Sequence, residues 1–328
     1  MVFELLKESY VILEQTLTLA ISYFTNPGKR INLMYLASSM IIAYWVFRTT
    51  SVKSSFLKYL FPRKIWLSKS ALIDYSMFGF NSLIKIIFIG PFVIFGFYLA
   101  FYANEFFLVS FGFPKYTLGM GQTLLLYTIA LTVVNDLSSY IIHLGMHRIP
   151  ILWEFHKIHH SATTLNPLTQ YRIHPIELMI NNIRSILVFG LITGLFDYLS
   201  AHQIDKMVFL GVNVFHFVFL LLGANLRHSH VKLKYPRFME YLFISPFQHQ
   251  IHHSDNPEHF NKNMGSKLAI WDWILGSLIL SNAVGKIKFG IGTSNSNYDS
   301  FVNNLLNPFR NLVKPLLKSL KVTNYNDQ

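Results

Sequence analysis

Cysteine is absent from this chain of 328 residues, which excludes disulfides and thiolate metal sites. Charged residues make up only 13% of the sequence, about half of the roughly 25% that is usual for a soluble domain. Acidic residues are the scarcer kind, since 16 Asp and Glu face 28 Lys and Arg for a net charge of +12. No G-x-G-x-x-G dinucleotide fingerprint and no C-x-x-C motif occurs, so redox chemistry would need an external source of electrons.

Apolar residues are abundant and clustered, at 52% of the chain with a mean hydropathy of +0.36. Five apolar runs each approach the ~20 residues that cross a bilayer. Each run alone is compatible with a buried core helix, but five together favour membrane insertion. We therefore expect an all-α, polytopic integral membrane protein with four or five transmembrane helices and a cytoplasmic helical cap. The runs are 31–47, 86–103, 117–134, 185–201 and 207–225.

The chain divides into three units at this level. Residues 1–70 combine an N-terminal segment with the first span and a basic loop, and Glu4, Glu8 and Glu14 favour an interfacial amphipathic helix over a signal peptide. Residues 71–286 form the main membrane unit. Residues 287–328 open with a Ser/Asn loop and continue as a basic amphipathic tail with apolar residues at helical spacing. These apolar residues are Leu305, Phe309, Val313 and Leu316.

The distribution of basic residues predicts the orientation. The connection 48–70 is rich in Lys and Arg and is placed in the cytoplasm, whereas 104–116 contains one lysine and is placed outside. The third span then leads inward to residues 143–147. The fourth and fifth spans form a hairpin around a short turn near 200–206, and the chain returns inside at 227–230. This topology puts every histidine-rich run on the cytoplasmic face.

Three of these runs hold eight of the 14 histidines, "HLGMH" at 143–147, "HKIHH" at 156–160 and "HQIHH" at 249–253. Residues at i, i+3 and i+4 share a helix face, so each run can point its rings into one site. A lone histidine is more often a core residue, but one H-x-x-H-H arises by chance roughly one time in forty in such a composition, and two far more rarely. Imidazole suits iron, zinc, copper or nickel. Eight rings are twice what one tetrahedral zinc site uses, so the count indicates two metals. The eight are His143, His147, His156, His159, His160, His249, His252 and His253.

Asp136 lies seven residues before His143, two helical turns back on the same face. An acid within an apolar helix is costly and usually has a partner. One interpretation makes it the acceptor for the outer ring N–H of a histidine ligand. The alternative is a helix-end residue at the water boundary.

These residues together carry a family resemblance. The order H-x-x-x-H, H-x-x-H-H, H-P-x-E, a late single histidine and a second H-x-x-H-H resembles the fatty acid hydroxylase / sterol desaturase superfamily of membrane non-haem diiron enzymes. "DLSSYIIHLGMHRIP", "YRIHPIE", "YPRFMEYLFISPFQHQIHHS" and "NKNMGSKLAIWDWILGSL" resemble its characteristic segments. The similarity covers about 125–280. Many members have arginine at the second position of the first box, where this chain has Leu144.

The resemblance adds two candidate ligands, His174 in "HPIE" and His228 in "RHSH". For His174 the alternative is structural, because the proline and Glu177 both suit the start of a helix. His230 competes with His228, which matches the family pattern better. His202 and His216 are expected to be structural, and His259 is off the spacing of the last box.

The resemblance implies O2-dependent oxidation, by hydroxylation or desaturation, of a membrane lipid such as a sterol, fatty acyl or alkyl lipid. It implies two iron ions, with zinc able to replace them on purification, and electrons from an external NAD(P)H-linked carrier. The basic cytoplasmic face suits an acidic carrier, of ferredoxin or cytochrome b5-like type, and nucleic acid is not an expected partner. A C-terminal lysine retrieval signal is not evident, which favours a bacterial inner membrane over the endoplasmic reticulum. The rival functions are a metal transporter or sensor and a zinc hydrolase.

Overall fold

A computed structural model describes residues 2–200, 208–209 and 212–323. The chain is mostly helical there, with one antiparallel pair of two-residue strands, β1 (Val208–Phe209) and β2 (Val212–Asn213). Single 3-10 turns connect several of the helices. The α-helices are α1 (Val2–Thr25), α2 (Leu33–Arg48), α3 (Phe56–Leu60), α4 (Arg63–Trp66), α5 (Lys69–Ile84), α6 (Phe95–Phe111), α7 (Met120–Arg148), α8 (Pro150–His160), α9 (Pro175–Leu199), α10 (Val214–Leu221), α11 (Pro246–His252), α12 (Ile270–Ile274) and α13 (Phe301–Thr323).

Three helical segments are long and apolar enough to cross a membrane, Lys69–Phe111, α7 and α9. The first joins α5 to α6 through a π-turn and a 3-10 turn at Lys85–Phe92, where Pro91 removes a backbone donor. The apolar run 31–47 corresponds to α2, which has 16 residues and spans about 24 Å, less than the ~30 Å hydrocarbon core. The expectation of an all-α membrane protein is confirmed to the extent that the chain is mostly helical and has three segments able to cross a membrane.

The fifth apolar run, 207–225, differs from the expected continuous span. Its regular helix is α10, which has eight residues and a length of about 12 Å. The helix is capped by Asn213, whose side chain accepts from the backbone N–H groups of Phe215 and His216. An Asn side chain that accepts from the first N–H groups of a helix favours the start of the helix at that residue. The helix α10 therefore does not extend further toward the N-terminus. The predicted turn near 200–206 lies, apart from Ser200, outside the described residues.

Close helix packing joins α6 to α9 along their lengths. Gly190 and Gly194 stand one turn apart on α9, and a Cβ atom on Gly194 would lie 2.4 Å from the carbonyl oxygen of Ala100. Small residues at i and i+4 let the backbones of membrane helices approach closely. This contact therefore fixes the first spanning segment against the third.

The helices α7 and α9 run antiparallel and define two ends of the molecule. At one end the N–H of Leu118 donates to the carbonyl of Leu199 at 2.8 Å. At the other end α7 finishes at Arg148, and α8 starts at Pro150 after the extended residue Ile149. Prolines also begin α9 and α11, where the missing N–H costs nothing. The histidine-bearing helices therefore meet at the Arg148 end.

A buried arginine attaches α8 to its surroundings. Arg172 is 1% exposed, and its guanidinium donates to the Ile158 carbonyl, the Ser161 hydroxyl and the Asp74 carboxylate. It also reaches the Asn304 side chain of α13. A fully hydrogen-bonded buried network of this kind fixes one arrangement of its elements. The basic C-terminal segment thus packs on α8 through part of its length.

Candidate metal centre

Nine of the ten histidines predicted as ligands converge in two groups. In each group one ring nitrogen of every member lies within 4.8 Å of the others. No carboxylate belongs to either group among the described residues. Group one contains His143, His147, His156, His160 and His252, and group two contains His159, His228, His249 and His253.

Helical spacing explains how the two H-x-x-H-H motifs divide between the groups. His156 and His160, at i and i+4, both enter group one, while His159 turns into group two. On α11, His249 and its i+4 partner His253 enter group two, and His252 turns back into group one. Neighbouring helix positions differ by about 100° in direction, so each motif spans both groups. The rings of His160 and His253 stack across the boundary with centroids 4.6 Å apart.

Most of these rings are shielded from water. In group two all four histidines are buried. Burial lowers the pKa of His160, His252 and His253 well below the ordinary histidine value, and neighbouring imidazoles lower it further. These rings are therefore neutral at physiological pH, which is the form that ligates metals.

Three rings of group one are oriented through their outer N–H. Nδ1 of His143 donates to the carbonyl of Met264 at 2.7 Å, and Nδ1 of His252 donates to the carbonyl of Lys262 at 2.9 Å. Nδ1 of His156 donates to Oε1 of Glu177 at 2.9 Å. Such contacts fix the proton on Nδ1 and leave the lone pair of Nε2 free to bind a metal. Sequence reasoning treated Glu177 only as a helix-start residue and missed this contact.

His249 is held differently. Its Nδ1 lies 2.9 Å from Nη2 of Arg227, which is itself 3% exposed. The same guanidinium donates to the backbone carbonyls of Gly265 and Ser266. A buried positive charge therefore contacts group two, and no sequence signal singled out Arg227.

Asp136 does not contact a histidine ring in the described part of the chain. Its two oxygens accept from the N–H groups of Lys267 and Leu268 and from the indole of Trp271. Two helical turns separate it from His143 by about 10 Å along α7, too far for a direct hydrogen bond. Asp136 instead fixes the segment that presents the Met264 carbonyl to His143.

A second carboxylate holds the same segment from the other side. Asp272 accepts from the N–H groups of Met264 and Gly265 at 2.8 and 2.7 Å. A Cβ on Gly265 would lie 2.4 Å from the Leu268 carbonyl, so only glycine fits. The segment "NKNMGSKLAIWDWILGSL", which resembles a characteristic segment of the family, thus forms a clamp around the carbonyls that orient His143 and His252.

The other histidines lie elsewhere. His174 caps α9, where its Nδ1 accepts from the N–H of Ile176 and its Nε2 lies 3.2 Å from the Leu305 carbonyl. His230 contacts the Tyr59 carbonyl at 2.7 Å. His216 and His259 belong to neither group. His202 lies outside the described residues.

Two cavities open onto the histidines. One, of about 370 Å³, is lined by His147, His160 and His252 of group one together with Trp153 and Lys157. The other, of about 210 Å³, touches both groups, through His143 and His156 on one side and His159, His228 and His249 on the other. Access to the centre is therefore possible from two directions.

Comparison with known proteins now identifies the segment. Residues 128–277, which contain all nine converging histidines, match the fatty acid hydroxylase family. The match covers 150 of the 328 residues, just under half of the chain. The resemblance seen in the sequence is thereby confirmed, and it extends to the clamp formed by Asp136, the 262–268 segment and Asp272.

Curated relatives of the family are similar over part of their length. An ornithine lipid hydroxylase of Rhizobium tropici is 27% identical over 178 residues, 54% of this chain and 48% of that protein. Alkylglycerol monooxygenases of Caenorhabditis elegans and Homo sapiens are 28% and 26% identical over 42% and 48% of this chain, and 24% and 31% of theirs. The chain thus spans less than half the length of each relative. No solved structure matches it significantly.

Proposed function

We propose that this protein hydroxylates a membrane lipid with dioxygen at two iron ions, one held by each histidine group. The observation that carries the proposal is the pair of all-histidine groups within a segment of the fatty acid hydroxylase family. Both kinds of curated relative oxidise lipids by name, as a hydroxylase and a monooxygenase. Their names favour hydroxylation over desaturation and do not favour metal transport.

The arrangement of lone pairs supports a cation in group one. His143 and His156 both donate through Nδ1, so in their neutral forms both Nε2 atoms carry lone pairs. These two Nε2 atoms face each other at 3.1 Å. Nε2 of His147 and Nε2 of His252 are buried without a hydrogen-bond partner among the described residues. A metal ion removes this repulsion and gives each buried nitrogen a partner.

The donor set also limits the identity of the metal. Neutral imidazoles suit iron, zinc, copper and nickel, and zinc generally binds such sites more tightly than ferrous iron. Zinc is therefore expected to occupy the groups in protein purified without added iron. When bound, iron supplies the activation of dioxygen that no side chain provides.

The chain's own residues position and shield this chemistry. Glu177 and the carbonyls of Met264 and Lys262 fix the ring orientations of group one. The histidines of group two are largely shielded from water. An apolar cavity of about 670 Å³ between α7 and α10, bounded by Val133, Phe219 and Ile244, offers space for an alkyl chain. Asp136 and Lys267 stand in its wall, where it borders the clamp.

The distribution of basic residues also supports a proposal for the membrane topology and the electron carrier. We infer four or five crossings, with a cytoplasmic helical cap made of α8, α11 and the short 3-10 turns beside them, in a bacterial inner membrane. The main unit is taken as 71–286, flanked by 1–70 and 287–328. Electrons are expected from an external acidic carrier that docks on the basic cytoplasmic face, since the sequence has no dinucleotide fingerprint.

The test combines metal content, oxygen consumption and lipid analysis on the full chain purified from iron-replete cells, with NADPH, a ferredoxin reductase and ferredoxin added to supply the two electrons that reduce the second oxygen atom to water. We expect two iron ions per folded chain, and oxygen uptake matched by a product lipid heavier by one oxygen atom. His230→Ala serves as the control, because this partly buried ring lies outside both groups. One metal or none in folded protein, or no change in the lipids, would overturn the proposal.

A further inference from the structure

The 210 Å³ cavity that touches both histidine groups contains two arginines. Arg227 comes from the turn Ala224–His228, and Arg30 comes from the loop between α1 and α2. Arg30 reaches the same turn, where its Nη2 donates to the Ala224 carbonyl. The cavity is therefore bounded by two guanidiniums on the side of group two.

Both guanidiniums keep unused donors. Nε of Arg30 and Nε of Arg227 are buried and have no hydrogen-bond partner within the described residues. Each guanidinium has five N–H donors, and the hydrogen bonds among the described residues use one donor of Arg30 and three of Arg227. A buried donor without a partner is costly. A ligand acceptor in the cavity would satisfy both.

Neither arginine forms an ion pair with a carboxylate in the part of the chain that the structure describes. Burial and, to a smaller extent, the neighbouring Arg227 guanidinium lower the pKa of Arg30 to about 9, which reflects how close the two charges are. Of the nearby carboxylates, Asp136 accepts from the clamp segment, and Glu177, which lines the same cavity, accepts from His156 through Oε1. Oε2 of Glu177 is buried without a hydrogen-bond partner among the described residues, and it pairs with neither arginine there. Two like charges thus share a cavity with one carboxylate that forms no ion pair with them.

We propose that Arg30 and Arg227 bind an anionic group of the lipid substrate, a carboxylate or a phosphate, beside the two histidine groups. Guanidinium forks match both anions in geometry and bind them more strongly than neutral acceptors. The inference rests on the proposed lipid oxidation, because it takes this cavity as the substrate site. It narrows the substrate from any membrane lipid to one with a negative group near the carbon that reacts.

The test is binding, which requires no turnover. Zinc-loaded full-length protein in neutral detergent is titrated with N-oleoylglycine and with its methyl ester, and bound lipid is counted by native mass spectrometry. A second pair, oleoyl lysophosphatidate and monooleoylglycerol, replaces the carboxylate by a phosphate. Each pair shares its chain and differs in charge. The variants are Arg30→Gln, Arg30→Lys and Arg48→Gln, the last an exposed arginine at the end of α2.

We expect the wild type to prefer at least one anion over its neutral counterpart by about tenfold or more, as for a charge-assisted pair. Arg30→Gln should lose most of this preference with two zinc ions still bound, whereas Arg30→Lys keeps part of it and Arg48→Gln keeps all. The pair that shows the preference identifies carboxylate or phosphate. Absence of any preference in the wild type, or its survival in folded Arg30→Gln, overturns the inference. Because zinc-loaded protein does not turn over, neither result depends on whether the chain oxidises lipid.

Discussion

The histidines of the last box differ in what they contact, and His252 offers the sharpest test. Its Nδ1 is held by the Lys262 carbonyl while its buried Nε2 has no protein partner in the described residues. We expect His252→Ala to lower iron from two to about one ion per folded chain and to abolish lipid oxidation, because group one loses a ligand. Metal analysis and lipid product should be measured on the same folded sample.

His259→Ala is the matched control for that variant. His259 is 8% exposed, lies seven residues away and has a buried Nδ1 with no hydrogen-bond partner in the described part of the chain, yet it belongs to neither group. It should keep both metals and most activity, as should His216→Ala. Equal metal loss in His252→Ala and His259→Ala would assign the histidines a packing role and contradict the metal centre.

Glu177 tests whether orientation of a ring matters as much as its presence. Glu177→Gln retains an oxygen that can accept from Nδ1 of His156 but removes the negative charge. Loss of such an outer partner typically costs 10–100-fold in metal affinity or activity, and we expect faster loss of iron to a chelator by that order. Glu177→Ala should lose iron to the chelator faster still, because it removes the acceptor oxygen as well as the charge.

Glu154→Gln provides the comparison on a glutamate of α8 that pairs with Lys157 and Asn311 and contacts no histidine. Its iron should leave at the wild-type rate. If Glu177→Gln released iron no faster than Glu154→Gln, the His156–Glu177 contact would have no role in metal retention.

Among the helices, the close contact between α6 and α9 depends on glycine at position 194, which has no side chain. Gly194→Leu would place a Cβ atom 2.4 Å from the Ala100 carbonyl and 2.6 Å from the Ala103 Cβ, so the helices must separate. We expect a loss of at least about 1–3 kcal/mol in the free energy of unfolding, as for overpacked cores. Denaturant unfolding in detergent measures it. Gly79→Leu, at an exposed helical glycine with open space around it, should be nearly neutral. Equal losses would exclude close packing as the cause.

Helical periodicity predicted which histidines approach one another but not how they divide. The i, i+3, i+4 rule placed His156, His159 and His160 on one face, and that face turned out to be wide enough to serve two groups. The partners of the rings were less accessible to sequence reasoning. Met264 and Lys262 act through backbone carbonyls, which every residue has, so no side-chain pattern marks them. Asp136 was proposed as an acceptor for the ring N–H of a histidine ligand, but its hydrogen-bond partners are two backbone N–H groups and the Trp271 indole, all over 130 residues away along the chain.

The membrane character was predictable from composition, while the number of crossings was not. Apolar runs of 16–20 residues look alike in sequence whether they form α7 or the short α10. What separates them is local, because Asn213 caps α10 and Pro91 interrupts the first spanning segment. Tertiary contacts decide where each segment lies relative to the bilayer, and they are not encoded in a hydropathy window.

The path of the chain after α9 determines the topology of the whole molecule. Ser200 pairs with Leu118 at the far end of α7 from the histidines. Asn213 then lies beside Thr132, in the middle of α7, with their oxygens 3.4 Å apart. Residue 228 has reached group two at the Arg148 end. Residues 200, 213 and 228 therefore lie successively further along α7, from its start to the Arg148 end.

This path predicts which loops share a side of the membrane. Since the chain has no cysteine, single substitutions give unambiguous labelling sites. Ser110→Cys, at the end of α6, should react with an impermeant thiol reagent from outside the cell. Glu258→Cys, an exposed position beside the last histidine box, and Ser54→Cys, in the basic loop, should react only after the membrane is opened. Labelling of Glu258→Cys from outside the cell would show that the histidine groups do not lie at the cytoplasmic face, whatever their metal content.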